Sequence, residues 1–213
     1  GHVDHAGASF EYGECYVNPA DVALLYEHGD IHKRYGFVMG GGKPEGAFVP
    51  KKEDVVPPCA VKTLPVQDGD VFDLGGVQIE AIAVPGHTAG TMVYLDRARR
   101  VLYSGDACNA NTLLGLPCST TVETYAKSLD HLATYLKGID KFYGGHGLQA
   151  VPAYIVDEAL ILCEEILNDA DDRFEAEFLG RKFLYARKFD GMFHREDGGI
   201  ANIAYVMEKV YNK

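Results

Sequence analysis

From about Val61 onward, short β-type runs are joined by glycine-rich or polar turns, and this pattern constrains the fold more than any other feature of the chain. Residues 71–73 and 77–84 flank a pair of glycines, which is typical of a β-hairpin. Residues 91–95 and 101–104 flank a second, polar turn. We therefore predict four strands that form two consecutive hairpins.

Two amphipathic segments follow these strands and separate further β-type runs. Residues 122–136 carry apolar side chains on one helical stripe. Thr120, just before this segment, and Glu123, near its start, have the spacing of a capping box. Residues 141–143 are predicted to form another strand, and residues 153–168 a second helix. Because strands and helices alternate, we expect a layered domain of the α/β (α+β) class.

The N-terminal part of the chain is less regular. Residues 15–17 are predicted as a strand, and Asn18 as the N-cap of a helix that starts with a proline and extends to about Glu27. Residues 29–58 are rich in glycine, proline and charge. We interpret them as a long surface segment beside the functional site.

The composition disfavours several classes of protein. With 213 residues, of which 47% are apolar and 24% charged, the chain has an ordinary globular composition and the length of one domain. The formal net charge of −11 argues against nucleic acid and membrane surfaces as partners. No run of 18 apolar residues occurs, and the five cysteines are widely spaced without a C-x-x-C pair. We therefore expect free thiols and a cytoplasmic protein.

The chain is expected to form one main domain, residues 1–170, with a C-terminal aromatic extension, residues 171–213, packed on it. The extension is predicted to end in a helix or strand within residues 200–210. Its aromatic side chains have two interpretations: they attach the extension to the domain, or they line a substrate pocket. The candidate substrate-binding residues are Tyr185, Phe193 and His194.

Metal-capable side chains are concentrated at four places, which we expect to be strand ends or turns. The first is the segment His2-Val3-Asp4-His5, and the other three are single residues among glycines after β-type runs. Strands provide rigid anchors and glycines allow sharp turns, while imidazole and carboxylate groups suit zinc, iron or manganese. The candidate metal ligands are His2, Asp4, His5, His87, Asp106 and His146.

The order and spacing of these residues resemble the metallo-β-lactamase superfamily, which carries H-x-H-x-D-H, a histidine in G-H-T-x-G, an aspartate and a final histidine. The resemblance covers about residues 1–150. It implies an αββα sandwich and a hydrolase with two divalent metal ions, zinc being preferred over iron or manganese. A hydroxide that bridges the ions would attack a small-molecule substrate.

The resemblance also implies a role for each matching residue. The ligands of one ion would include His2 and His87, and those of the other Asp4, His5 and His146. Asp106 would bridge both ions, and Asp4 would also orient the hydroxide, so these two are the predicted catalytic residues. The bridging Asp106 resembles the glyoxalase II and lactonase branch, which implies an ester, thioester or lactone as the substrate.

One departure from the family pattern concerns the start of the chain. The first histidine of H-x-H-x-D-H would precede Gly1, as would the strands that normally come before this motif. We therefore expect a sandwich that lacks its first strands and forms a homodimer, or exchanges elements, at the exposed edge. Two alternatives remain open: a phosphodiesterase of the same fold, and a non-catalytic binding module with an incomplete metal site.

Overall fold

The computed structural model describes residues 1–40, 46–57, 59–146 and 149–213. Part of the predicted surface segment, at residues 41–45 and Pro58, and the Gly147 that follows His146 lie outside the described residues. The chain divides into two compact units, Gly1–Val66 and Gln67–Lys213, which we call the N-terminal and C-terminal units.

The described residues of the N-terminal unit are mainly helical. Its elements are the helices α1 (Val3–Ala6), α2 (Val22–Gly29) and α3 (Ile31–Gly40) and the strands β1 (Glu14–Val17) and β2 (Lys62–Pro65). The two strands pair in parallel. A small apolar core forms beneath them because Phe10, Leu25 and Val61 are buried together.

The predictions for this unit are correct in part. The strand predicted at residues 15–17 is confirmed as β1, and Asn18 accepts a hydrogen bond from the Ala20 amide through its side chain. The first turn after Pro19 is a 3₁₀ helix, however, and α-helical geometry begins only at Val22. The chain therefore enters α2 one turn later than expected.

The predicted surface segment from residue 29 contains a helix, α3, that the sequence analysis did not predict. Residues Ile31–Gly40 form a helix, because the side chain of Asp30 accepts hydrogen bonds from the amides of His32 and Lys33 at 2.9 and 3.2 Å. A carboxylate in this position satisfies amides at a helix start that have no partner within the helix. The glycines in the segment suggested a loop, but the cap and the tertiary contacts of the helix outweigh them.

The described part of the C-terminal unit contains two sheets and two helices. The strands are β3 (Val71–Asp73), β4 (Gln78–Ala83), β5 (Met92–Asp96), β6 (Val101–Gly105), β7 (Thr112–Leu113), β8 (Lys141–Gly144), β9 (Val151–Pro152), β10 (Phe174–Phe178), β11 (Arg181–Tyr185) and β12 (Ile203–Tyr205). The helices are α4 (Val122–Ala133) and α5 (Ile155–Leu167). The larger sheet has the order β3-β4-β5-β6-β8-β9, and the smaller has the order β10-β11-β12-β7.

The main core of this unit follows from the period-two pattern of its strands. Alternate residues of β4, β5, β6 and β8 point to one face, where Ile82, Val93, Leu102 and Phe142 are fully buried. The apolar stripes of α4 and α5 join the same cluster. Both predicted hairpins, the strand at residues 141–143 and the two predicted helices are therefore confirmed, and so is the mixed α/β class.

Two details of the C-terminal unit differ from the predictions. The N-cap of α4 is Thr121, whose hydroxyl accepts from the Thr124 amide, whereas the predicted cap, Thr120, contacts the Gly86 carbonyl. The helix also ends at Ala133 rather than Leu136. A shift of one residue at a cap is common, because neighbouring threonines offer the same hydroxyl.

The aromatic extension forms most of the smaller sheet. β10 and β11 make a hairpin, and β12 pairs in parallel with β7 near the middle of the chain. One face of this sheet joins the main core, and the other carries a second apolar cluster that includes Phe183 and Tyr185. No helix among the described residues has the length and apolar character that crossing a bilayer would require.

Candidate metal centre

His87 lies in a tight turn that follows β4. The Gly86 amide donates to the Thr88 carbonyl at 3.0 Å, and the Thr88 amide donates to the Thr91 hydroxyl at 2.9 Å. These short contacts hold the turn rigidly, and they leave the imidazole of His87 buried. The backbone of the G-H-T-x-G motif therefore fixes the position of the His87 side chain.

The ring of His87 is oriented by a backbone carbonyl. Its Nδ1 lies 3.0 Å from the carbonyl oxygen of Leu113, on β7. A carbonyl oxygen can only accept, so Nδ1 carries a proton, and in the neutral imidazole the lone pair is on Nε2. This is the arrangement expected of a histidine that binds a metal through Nε2.

Asp106 follows a bulge at the end of β6. The pairing between β6 and β8 shifts register between Tyr103 and Gly105, and Gly105 has a φ of 51°, which a side chain would disfavour. The Gly145 amide donates to the Gly105 carbonyl at 2.9 Å. The bulge redirects the chain just before Asp106, and it ties the ends of two strands together.

The carboxylate of Asp106 brings the ligand candidates of this unit together. Its Oδ2 lies 3.6 Å from His87 Nε2 and 3.3 Å from His146 Nε2. Its other oxygen, Oδ1, accepts a hydrogen bond of 3.4 Å from the side chain of Asn109. His87 and Asp106 are largely buried, whereas the side chain of His146 is 59% exposed.

These distances fit a metal ion. Two ligand atoms that each lie about 2.0–2.1 Å from a tetrahedral zinc ion are about 3.3–3.4 Å apart. The two separations at Asp106 Oδ2 are close to this value. Imidazole nitrogen and carboxylate oxygen are also donors that zinc, iron and manganese accept. The residues present are therefore suited to hold a divalent cation.

The other three ligand candidates lie in the N-terminal unit, in a helical turn rather than at a strand end. Asp4 and His5 are in α1, with His5 Nε2 3.7 Å from Asp4 Oδ2. His2 precedes the helix, and its ring stacks on that of His28 at a centroid distance of 5.2 Å. The Val3 amide donates to His28 Nδ1 at 3.2 Å, so His28 caps the turn.

The three candidate substrate-binding residues lie in or beside the smaller sheet. Tyr185 is buried between Phe174 and Phe189, and Phe193 stacks on Phe189 at 5.0 Å. His194 is exposed and lies 3.2 Å from the carboxylate of Asp190. Within the described parts of the chain, the buried hydroxyl of Tyr185 has no hydrogen-bond partner.

Comparison with known proteins identifies the family. The family model of the metallo-beta-lactamase superfamily matches residues 1–146, which include all six candidate ligands. The chain belongs to the metallo-beta-lactamase superfamily. The opening motif, the G-H-T-x-G turn, Asp106 and His146 therefore occupy the part of the sequence that defines the family.

Several relatives in the superfamily have hydrolase names. The chain is 28% identical over 149 residues to acyl-coenzyme A thioesterase MBLAC2 of Gallus gallus, covering 68% of this chain and 53% of that protein. It is 30% identical over 147 residues to hydroxyacylglutathione hydrolase of Acidiphilium cryptum, covering 57% and 51%. The chain thus spans about half the length of the curated relatives it matches.

A similar solved structure is a metallo-beta-lactamase family protein of Thermus thermophilus. Its TM-score is 0.49 and its sequence identity 21%, with 73% of this chain and 54% of the other covered.

The sequence did not reveal the residues that contact the ligand candidates in the C-terminal unit. Ser119 is buried and its hydroxyl donates to the His87 carbonyl at 2.8 Å, and Asn109 contacts Asp106 as described. Both lie in the connection between β6 and α4. Short polar residues are common in such connections, so no local pattern distinguishes these two from surface residues.

Cys108 follows Asp106 by two residues, a position that could face the site or pack in the core. The structure places it in the main core, with 1% of its surface exposed and its sulfur 3.7 Å from the Ile155 carbonyl. Burial raises the pKa of the Cys108 thiol to about 12. A thiol that stays protonated is a poor metal ligand, so Cys108 serves packing.

Proposed function

We propose that this chain carries the catalytic centre of a metal-dependent hydrolase that cleaves a small-molecule thioester. The observation that carries the proposal is the shared contact of Asp106 Oδ2 with the Nε2 atoms of His87 and His146. Family membership supports hydrolysis, and the names of the curated relatives support a thioester over other acyl substrates. The acidic net charge also favours a small molecule over nucleic acid.

We assign the six candidate ligands to two divalent ions, with zinc preferred and iron or manganese also compatible. The ligands are His2, Asp4, His5, His87, Asp106 and His146. When bound, such ions supply a water of lowered pKa and polarise the carbonyl of the scissile bond. This assignment carries over the role of each residue from the family motif that it matches.

The protein's own contribution is orientation. The Leu113 carbonyl accepts from Nδ1 of His87, so the imidazole would bind a metal through Nε2. Asn109 holds Oδ1 of Asp106, which leaves Oδ2 facing the two histidines. Asp4, as an additional carboxylate, would accept a hydrogen bond from the attacking water and direct its lone pair.

The first experiment is elemental analysis of protein purified without chelator and without added metal. Two zinc, iron or manganese ions per chain would support the full assignment. One ion would support a single complete site and would call for assays with added metal. If the protein holds no ion and takes up none on titration, the proposal is wrong.

The second experiment compares substrates on the metal-loaded protein. We expect acyl-coenzyme A and hydroxyacylglutathione thioesters to be cleaved faster than a lactone or bis-p-nitrophenyl phosphate. Faster cleavage of the phosphate diester would instead identify a phosphodiesterase of the same fold. Metal-loaded protein without turnover of any of these compounds would favour a non-catalytic binding module.

We further propose that Tyr185, Phe193 and His194 contact the substrate. The support is the buried hydroxyl of Tyr185, which costs free energy while it has no partner among the described residues. In Tyr185→Phe this cost disappears, so the variant should be as stable as the wild type or more so, while its KM should rise. An unchanged KM would show that Tyr185 serves packing alone.

A further inference from the structure

Tyr125 occupies a position in α4 that touches the turn before His87. The residue is fully buried, and its ring packs against Gly86 so closely that a Cβ at Gly86 would lie 2.4 Å from the ring carbon Cδ2. Only a glycine permits this approach. The ring therefore packs directly against the turn that carries His87.

The other end of the same side chain touches the turn of Asp106. The hydroxyl of Tyr125 donates to the carbonyl oxygen of Ala107 at 2.6 Å, and this contact is buried. Ala107 directly follows Asp106, and its amide donates to the Ser104 carbonyl at 3.0 Å. One rigid side chain thus connects the backbone next to one ligand with the backbone next to another.

Burial also favours the protonated form of the Tyr125 phenol, which is the form that donates. It raises the pKa of Tyr125 well above the ordinary value of 10.0, so the phenol remains protonated and continues to donate. An aromatic ring also has few rotatable bonds, and here both of its ends are in contact. The Tyr125 side chain therefore holds the two turns at a nearly fixed separation.

We propose that Tyr125 is a positioning residue that sets the separation between His87 and Asp106 and thereby the affinity for metal. The inference rests on the proposed function, because it takes these two residues as metal ligands. Its contacts are with Gly86 and with the backbone of Ala107, and it would act on the two ligand candidates through these neighbours. Loss of its hydroxyl should allow the Asp106 turn to move while the ring still fills the core.

The test is Tyr125→Phe, with Tyr205→Phe as the matched control. Tyr205 is also fully buried in the C-terminal unit, and its hydroxyl donates at 2.7 Å to Asp171, which is not a ligand candidate. Each variant loses one phenol hydrogen bond, buried for Tyr125 and partly buried for Tyr205, so both should lose thermal stability. A general effect of destabilisation on metal binding would appear equally in both.

Metal affinity is measured by zinc titration against a chelator, and geometry by the absorption spectrum of the cobalt-substituted protein. We expect Tyr125→Phe to bind zinc about 10- to 100-fold more weakly and to change the cobalt spectrum, as loss of a residue that orients a ligand typically does. Tyr205→Phe should stay within about twofold of the wild type and keep its spectrum. Equal affinities in the two variants would overturn the proposal.

Hydrogen exchange of the metal-free protein separates this inference from the proposed function. In Tyr125→Phe the amides of residues 86–88 and 105–107 should exchange faster than in Tyr205→Phe. If the wild type binds no metal, the proposed function fails, and exchange alone decides whether Tyr125 holds the two turns. Wild-type exchange at these amides would refute the positioning role in either case.

A second variant tests the contact of the Tyr125 ring with Gly86. Gly86→Ala keeps the hydroxyl of Tyr125 but displaces the ring, because the new methyl group would overlap the ring carbon Cδ2. We expect it to weaken zinc binding as well, by about tenfold or more. Wild-type affinity in a folded Gly86→Ala protein would contradict the proposed contact between ring and turn.

Discussion

Two groups of ligand candidates in this chain are built in different ways. His2, Asp4 and His5 are neighbours in the sequence, and one helical turn arranges them: the His5 and Ala6 amides both donate to the His2 carbonyl. His87, Asp106 and His146 follow three different strands of one sheet, β4, β6 and β8. We call these the local group and the assembled group.

The comparison shows where each group is vulnerable. The shape of the local group comes from backbone hydrogen bonds within a few residues, and its side chains remain partly exposed. The assembled group depends on a β-bulge, a carbonyl partner and buried side chains contributed by distant segments. Substitutions far from the ligands should therefore disturb the assembled group much more than the local one.

The largest effect is expected for Asp106→Ala. The substitution removes the oxygen that both histidines of the assembled group share, and a metal contributes several kcal/mol to such a reaction. Turnover should fall about a thousandfold or more, together with tight metal binding. The control is Asp140→Ala, which removes an exposed carboxylate paired with Arg100. Wild-type turnover in Asp106→Ala would refute the role of the assembled group.

A smaller effect is expected for Ser119→Ala. The change leaves the buried His87 carbonyl without the hydroxyl that donates to it, which should cost about 1–3 kcal/mol of unfolding free energy. Zinc affinity should also fall, by about tenfold, because the imidazole turns with its backbone. Chemical denaturation and zinc titration measure the two effects.

Thr134→Ala is the control for Ser119→Ala. It removes a hydroxyl that donates to the His131 carbonyl in an exposed position, so both quantities should barely change. If Ser119→Ala loses stability but keeps its zinc affinity, the assembled group tolerates changes in the residues around it. The proposed difference in sensitivity between the two groups would then be wrong.

The dependence of stability on alkaline pH distinguishes a thiol buried in the main core from a less buried thiol in the N-terminal unit. Burial raises the pKa of the Cys163 thiol in α5 above the ordinary value of 9.0. Above pH 9 the unfolded chain therefore ionises this thiol while the folded chain keeps its proton, so stability falls as the pH rises. The slope is about 1.4 kcal/mol per pH unit for one such group.

The variants Cys163→Ala and Cys15→Ala sharpen this test. In Cys163→Ala the fall in unfolding free energy above pH 9 should be shallower by about this slope. Burial also raises the pKa of Cys15, in β1, but this thiol is much less buried, so Cys15→Ala should change the slope less than Cys163→Ala does. Identical slopes in all three proteins would show that the buried thiol does not contribute.

The sequence predicted those parts of the fold whose pattern is local. Both hairpins, α4, α5 and the strand before His146 follow from periodicity over a few residues. The helix α3 was missed because its glycines suggested a loop and the capping role of Asp30 was overlooked. The pairing of β12 with β7 joins segments far apart in the chain, and no local pattern encodes it.

The candidate site shows the same limit. The six ligand candidates were proposed because their order resembles a family motif, and no single position would have suggested them. His87 contacts the Leu113 carbonyl and the Ser119 hydroxyl, and Tyr125 contacts Gly86 and Ala107 beside His87 and Asp106. A carbonyl carries no sequence signal, and an aromatic residue on an apolar helical stripe indicates a core position. The expected homodimer stays a prediction.

The smallest effect is expected at the local group, for His28→Phe. The phenyl ring can keep the stacking contact with His2, but the acceptor of the Val3 amide is lost. A lost cap on a short, partly exposed helix should cost about 0.5–1 kcal/mol and change zinc affinity by less than about threefold. His28→Asn, which can still accept from this amide, should lie closer to the wild type. A tenfold loss of affinity in His28→Phe would show that the local group also depends on its neighbours, and the distinction between the two groups would then be one of degree.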